Sequence, residues 1–238
     1  QRQRRRAGDG GGLRRLTSPG SSNDLAPVVS PTGDWIAWQR EIARPGGSID
    51  AMEIWVMRAD GSEPRPLVQN GSFNETPSWL PDGSGVVYAS RVTGNWEIFH
   101  ADLDGSAPVN LSSHPFADQY PRVSPDGSRV AFHTNRDVNF EIYTMRADGS
   151  EQRNVSGDPG EDRFANWTPD GRIVWSRFLT SFDLFLMDGD GSNQRPLFSS
   201  TFEETHASIS PDGHWVVFQT DRFPPFTLLV APIAGGES

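Results

Sequence analysis

One turn, written five times, constrains this chain more than any other feature. It appears as Ser30-Pro31-Thr32-Gly33, Leu80-Pro81-Asp82-Gly83, Ser124-Pro125-Asp126-Gly127, Thr168-Pro169-Asp170-Gly171 and Ser210-Pro211-Asp212-Gly213. The prolines are 50, 44, 44 and 42 residues apart. Proline presets φ and glycine accepts positive φ, so Pro-Asp-Gly between two apolar runs is a hairpin turn. Alternating runs follow each turn, such as Trp35-Ile36-Ala37-Trp38, Val130-Ala131-Phe132 and Trp215-Val216-Val217-Phe218. A third run comes next, for example Glu97-Ile98-Phe99 or Glu141-Ile142-Tyr143-Thr144-Met145, and ends in Asp-Gly at 60–61, 104–105, 148–149 and 190–191. A short fourth run closes the unit, as in Val109-Asn110-Leu111. Four antiparallel strands in a period of about 44 residues predict a β-propeller blade.

The fifth unit reaches its third strand and then Gly235-Gly236. At the other terminus, Asp9-Gly10 followed by Leu13-Arg14-Arg15-Leu16-Thr17 matches the turn-and-fourth-strand segment of the internal units. The expectation is therefore an all-β propeller of five four-stranded blades, the last closed by the N-terminal strand so that no inner edge is left open. Residues 13–238 form one domain, preceded by a basic arm at 1–12.

Composition narrows the chemistry. The 238 residues contain no cysteine and no lysine, which removes thiolate nucleophiles, zinc–thiolate sites, Schiff-base lysines and P-loops. No apolar run approaches the roughly 18–20 residues of a membrane-spanning helix, so no membrane insertion is expected. Net charge is −10, yet residues 1–16 carry six arginines against Asp9. The remaining body, at −15, repels phosphate backbones and argues against nucleic-acid partners. The arm could dock on an acidic surface, including another copy's body.

The pattern Ser-Pro-Asp-Gly, alternating strand, Arg, Glu-Ile-Tyr-x-Met, Asp-Gly-Ser resembles the WD40-like repeat of TolB-type propellers, most closely in residues 118–156. The resemblance implies a propeller, usually six-bladed, that binds partners at one mouth of its channel. Five units are recognisable in this chain. Such propellers also serve as modules of peptidases, a role that needs a separate hydrolase domain.

Aligning the units on the turn proline exposes two columns. Arginines stand at the end of the second strand (Arg40, Arg91, Arg136, Arg177, Arg222), and four face an acid opening the third: Glu53, Glu97, Glu141 and Asp183. These predict cross-hairpin ion pairs. Seven residues before each proline stand Asp24, Asn74, Asp118, Asp162 and Glu204. Rotational repetition would gather these oxygens around the channel mouth, where a Ca²⁺-type cation would relieve their repulsion; the alternative is local capping of backbone N–H groups. Two connections depart from the repeat on the same face and predict partner contact: the 41–52 loop with Arg44 and Ile49, and Phe223-Pro224-Pro225-Phe226. No Gly-x-Ser-x-Gly or His-Glu-x-x-His motif occurs. The function expected is a non-enzymatic scaffold, periplasmic or extracellular, that binds a protein partner or copies of itself. The alternative is a carbohydrate-binding or glycoside-hydrolysing propeller using channel carboxylates.

Overall fold

A computed structural model describes residues 14–17, 22–43, 46–157, 159–198 and 200–233. Their nineteen strands form five antiparallel sheets. Blade 1 holds β1 (Asp24–Val29), β2 (Trp35–Ala43), β3 (Ile49–Arg58) and β4 (Arg65–Val68). Blade 2 holds β5 (Asn74–Trp79), β6 (Gly85–Ser90), β7 (Glu97–Asp102) and β8 (Val109–Asn110). Blade 3 holds β9 (Asp118–Val123), β10 (Arg129–Asp137), β11 (Asn139–Arg146) and β12 (Arg153–Asn154). Blade 4 holds β13 (Glu161–Trp167), β14 (Arg172–Phe178), β15 (Phe182–Asp188) and β16 (Arg195–Pro196). Blade 5 holds β17 (Glu204–Ile209), β18 (Trp215–Thr220) and β19 (Thr227–Pro232). The five-bladed propeller read from the repeat is the fold observed.

The Pro-Asp-Gly turns work as their chemistry dictates. Gly83, Gly127 and Gly213 have φ between +72° and +73°. The preceding aspartate accepts the N–H two residues on, as Asp82 does from Ser84 at 2.9 Å. At Asp126, bonds from the Ser124 hydroxyl and from Ser128 hold the carboxyl down at a pKa of about 2.

Strand alternation gives every blade two apolar faces, and the ring is built by laying the rear face of one on the front face of the next. Ala37, Ile54 and Val56 at the rear of blade 1 pack on Val86, Tyr88 and Phe99 at the front of blade 2. Val87, Ala89 and Ile98 meet Val130, Phe132 and Met145 in the same way. Ala131 and Ile142 meet Ile173 and Trp175, and Val174, Leu184 and Leu186 meet Val216 and Phe218. Val68 at the end of β4, and Leu111, Val155 and Leu197 one residue past β8, β12 and β16, each belong to one of these seams. A large apolar side chain buried there contributes roughly 1.5–3 kcal/mol.

The closure differs in one respect from the sequence expectation. Among the described residues the fifth sheet has three strands, and residues 14–17 lie outside any strand. They rest instead on blade 1, where Leu16 and Arg14 crowd Gly61 and Thr17 bonds to Asp24. Packing runs from blade 1 through to blade 5, but among the described residues no comparable strand packing joins blade 5 to blade 1. The basic residues of 1–12, Leu13 and Gly235-Gly236 lie outside the described residues.

Candidate functional site: the central channel

The two charged columns meet each other inside the blades. In antiparallel register a residue at the start of the innermost strand lies opposite one near the end of the second strand, Asp24 against Arg40 and Asp162 against Arg177. Asp162 accepts from Arg177 Nε at 2.8 Å, from its terminal nitrogen at 2.9 Å, and from Trp175 Nε1 at 2.9 Å. Asp24 repeats the arrangement with Arg40 and Trp38, Asp118 pairs with Arg136 at 2.8 Å, and Glu204 with Arg222 at 3.5 Å. Asn74, lacking charge, accepts from Ser90 and donates to the Met52 carbonyl. The cross-hairpin pairing is thus corrected: Glu53 accepts from Trp55 and Gln69, and Asp183 from the Ser200 N–H.

The expected ring of bare oxygens for Ca²⁺ is not what the fold makes of Asp24, Asn74, Asp118, Asp162 and Glu204. The four carboxylates pair with an arginine of their own blade and Asn74 bonds to Ser90 and Met52, and among the described residues no three His, Asp or Glu side chains come together to hold a metal ion. Two carboxyls respond oppositely to this setting. Burial disfavours ionised Asp24, but bonds from Arg40, Thr17 and Trp38 outweigh it and lower the pKa. Glu204 is raised, chiefly by burial, with Ser200 and Arg222 opposing and Asp183 reinforcing the rise. The carboxylates wanted by a glycosidase are therefore committed to arginine neighbours.

The channel wall comes from a different position, two residues further along each innermost strand. Ala26, Thr76, Tyr120, Phe164 and His206 all have φ between +48° and +57°, at the register break of β1, β5, β9, β13 and β17. A non-glycine residue in this region costs roughly 1–2 kcal/mol. Side-chain latches hold it from the neighbouring blade. Gln39 accepts the Thr76 N–H at 3.0 Å, and His133 Nδ1 accepts the Phe164 N–H at 3.4 Å. Sequence reasoning missed this column because its five residue types share no chemistry; only the constant offset from the acidic column could have marked it.

Three of the five gather into an aromatic cluster. Phe164 stacks on His206 with ring centroids 4.0 Å apart, and Tyr120 meets Phe164 edge-on at 4.9 Å. Tyr120 also stacks on His133 at 5.0 Å. With Arg122, Asn166 and strand residues from every blade they line a cavity of about 410 Å³. Arg122 donates to the Pro121 carbonyl and forms no ion pair among the described residues. Burial lowers its pKa, partly offset by Tyr120. Tyr120 is itself raised, first by burial and then by Glu75, with Arg122 and Arg163 opposing. The channel is therefore aromatic and cationic inside an acidic protein.

His133 titrates in consequence. Burial, then Arg163, Arg122 and His206, push its pKa down to about 3 from 6.5. The unfolded chain binds the extra proton between those values, so the stabilisation is complete above pH 6.5 and falls away as pH drops toward 3. The loss amounts to a few kcal/mol, within roughly 1.4 kcal/mol per pH unit. His133→Gln keeps an acceptor for Phe164, as Gln39 does for Thr76, but cannot titrate. Melting temperatures from pH 7 to 3 should fall less steeply for His133→Gln than for the unaltered chain; parallel curves would remove His133 from the account.

Of the residues expected to touch a partner, Phe223 and Phe226 are exposed in the β18–β19 connection and Ile49 is exposed at the start of β3. Pro224 and Pro225 lie between the two phenylalanines, and Arg44 falls outside the described residues. These connections share one end of the propeller with the charged columns.

No family model matches the sequence, and no curated protein matches it as a relative. Solved structures do. TolB from Acinetobacter baumannii superposes with a TM-score of 0.75 at 18% identity over 90% of this chain and 53% of that one, so the chain spans about half its length. A TolB from Agrobacterium tumefaciens gives 0.60 at 20% identity over 89% and 90%. Enzymes share the likeness: an oligogalacturonate lyase in complex with manganese gives 0.63 at 12% identity over 86% of this chain and 61% of that one. At these identities the likeness speaks for architecture alone: the chain has the β-propeller fold and is similar in it to the TolB structures.

Proposed function

We propose that this chain is a non-enzymatic binding propeller, working outside the cytoplasm, that holds a protein partner by a carboxylate-bearing segment lodged in its channel. The observation that carries the reading is Arg122, a guanidinium on the channel wall with no ion pair among the described residues, beside the flat faces of Phe164 and His206. A half-desolvated cation without a counter-ion favours an incoming anion, and neutral aromatic walls favour an apolar body attached to it. Glu75, the carboxylate that acts on Tyr120, has its own pKa raised by burial, with Arg91 opposing. The exposed Phe223, Phe226 and Ile49 extend the contact beyond the channel.

Calorimetric titration with N-acetyl-Gly-Phe as the free acid and as the amide tests the idea. A hydrogen bond to a charged group is worth about 1.5–3 kcal/mol, so the acid should bind roughly ten- to a hundredfold more tightly. Arg122→Met should erase that difference. Equal binding of acid and amide, or an unchanged preference in Arg122→Met, would defeat the proposal.

A further inference from the structure

The four seams share one design, and the two ends of the arc each carry half of it. Ile54, Ile98, Ile142 and Leu184 occupy the same rear-face position and are fully buried; the fifth occupant, Leu228, is 69% exposed. Val230 and Val217 beside it are 61% and 38% exposed, whereas Val56 and Ala37, their counterparts in blade 1, are fully buried. The polar latch recurs too. Gln219 stands opposite Leu228 as Gln39 stands opposite Ile54. Gln39 grips the bulge of the next blade, while the Gln219 side chain is exposed and makes no hydrogen bond among the described residues.

The front of blade 1 is the complementary half. Ile36, Trp38 and Met57 hold the places of Val86, Tyr88 and Ala101, and Ala26 holds the bulge that a latch would grip. A cavity of about 330 Å³ lies over them, edged by Leu16, Pro27 and Val29. Leu16 marks what is missing. Leu111 and Val155, each just past a fourth strand, bring their backbone against Gly149 and Gly191 in the Asp-Gly turn of the following blade; at Gly61, the same turn of blade 1, the side chains of Arg14 and Leu16 take that place. Residues 14–17 therefore stand where the fourth strand of a preceding blade would stand, and the cavity is the space for that blade's rear face.

We infer that the rear of blade 5 seats on the front of blade 1 of a second copy of this chain, whose residues 14–17 add the fourth strand to β19. Both halves of a seam that the molecule already uses four times are present on it at opposite ends: the rear of blade 5 is exposed, and the front of blade 1, with Trp38 and Met57 themselves buried, lies beneath the cavity. Register follows from the other blades. Phe99 faces Asn110 and Tyr143 faces Asn154, each one residue before the seam leucine or valine, so Leu229 faces Arg15 of the second copy. The contact is head-to-tail, hence copies add in one direction into rings or filaments. Of the channel wall it touches only the Ala26 bulge, not Arg122, Phe164 or His206, so it stands or falls apart from ligand capture.

The chain has no cysteine, which makes cross-linking clean. Arg15→Cys combined with Leu229→Cys should give, on oxidation, a non-reducing ladder of covalent multimers. A cross-link confined to single chains would mean that the ring seals on itself, and no cross-link that the edges do not meet; either overturns the inference. Independently of those variants, light scattering on the unaltered chain should give a mass above one chain that rises with concentration. Leu228→Glu should return it to one chain with unchanged circular dichroism. A single-chain mass for the unaltered protein at every concentration would also overturn it.

Discussion

Replacing Asp162 by alanine lowers the stability of the folded chain by roughly 3–5 kcal/mol, the range for stranding one member of a buried pair. Asp162 is fully buried, and Arg177 beside it is nearly so. Three charge-assisted or indole bonds converge on the carboxylate, so its loss strips the Arg177 guanidinium of both its bonds to Asp162 and leaves the Trp175 N–H without that acceptor in a site closed to water. Blade 1 supplies an internal control. Asp24 has the same two partner types, but its side chain and that of Arg40 keep 20% and 19% of their exposure, and water can replace part of what is lost. Asp24→Ala should cost about 1 kcal/mol, nearer the value of an exposed pair. Urea denaturation followed by tryptophan fluorescence measures both. Equal losses at the two sites would show that burial is not what gives the pair its weight.

The second large effect is expected at a glycine. Gly149→Ala should destabilise by about 2–5 kcal/mol, combining a left-handed conformation at roughly 1–2 kcal/mol with overpacking at roughly 1–3 kcal/mol. Its φ is +86°, and an added Cβ would be driven into the backbone carbonyl of Leu111 in the preceding blade. Backbone cannot rotate aside as a side-chain tip can, so the seam between blades 2 and 3 must open. Gly105 isolates the two contributions: it holds the same turn at φ +85° with open space around it. Gly105→Ala should cost only the conformational part, about 1 kcal/mol. Thermal melts of the pair decide the matter, and indistinguishable melting temperatures would refute the steric half.

The blade repeat was legible because each strand announces itself locally: a Pro-Asp-Gly turn, an alternating run, an Asp-Gly turn. The arginine and acidic columns were legible as well, but their partnership was not. Reading along a hairpin sets Arg40 opposite Glu53, which is true of register, yet Asp24 lies across the same residue on the other side and takes the guanidinium. The channel wall escaped notice because alanine, threonine, tyrosine, phenylalanine and histidine are joined only by a backbone conformation. Blade 5 misled for a plainer reason. Trp215-Val216-Val217-Phe218 reads like every other second strand, and whether Val217 is covered depends on what stands behind it.

That shared backbone conformation in the innermost strands separates the lining of the bore from the mechanics of the ring. The twist at Ala26, Thr76, Tyr120, Phe164 and His206 is imposed by the flanking ladders, and five dissimilar occupants tolerate it. Such sites can be rewritten without disturbing how neighbouring sheets stack. A handful of point changes would suffice to turn an aromatic, cationic bore into an acidic or aliphatic one, so the chemistry of the bore and structural integrity can evolve on independent schedules.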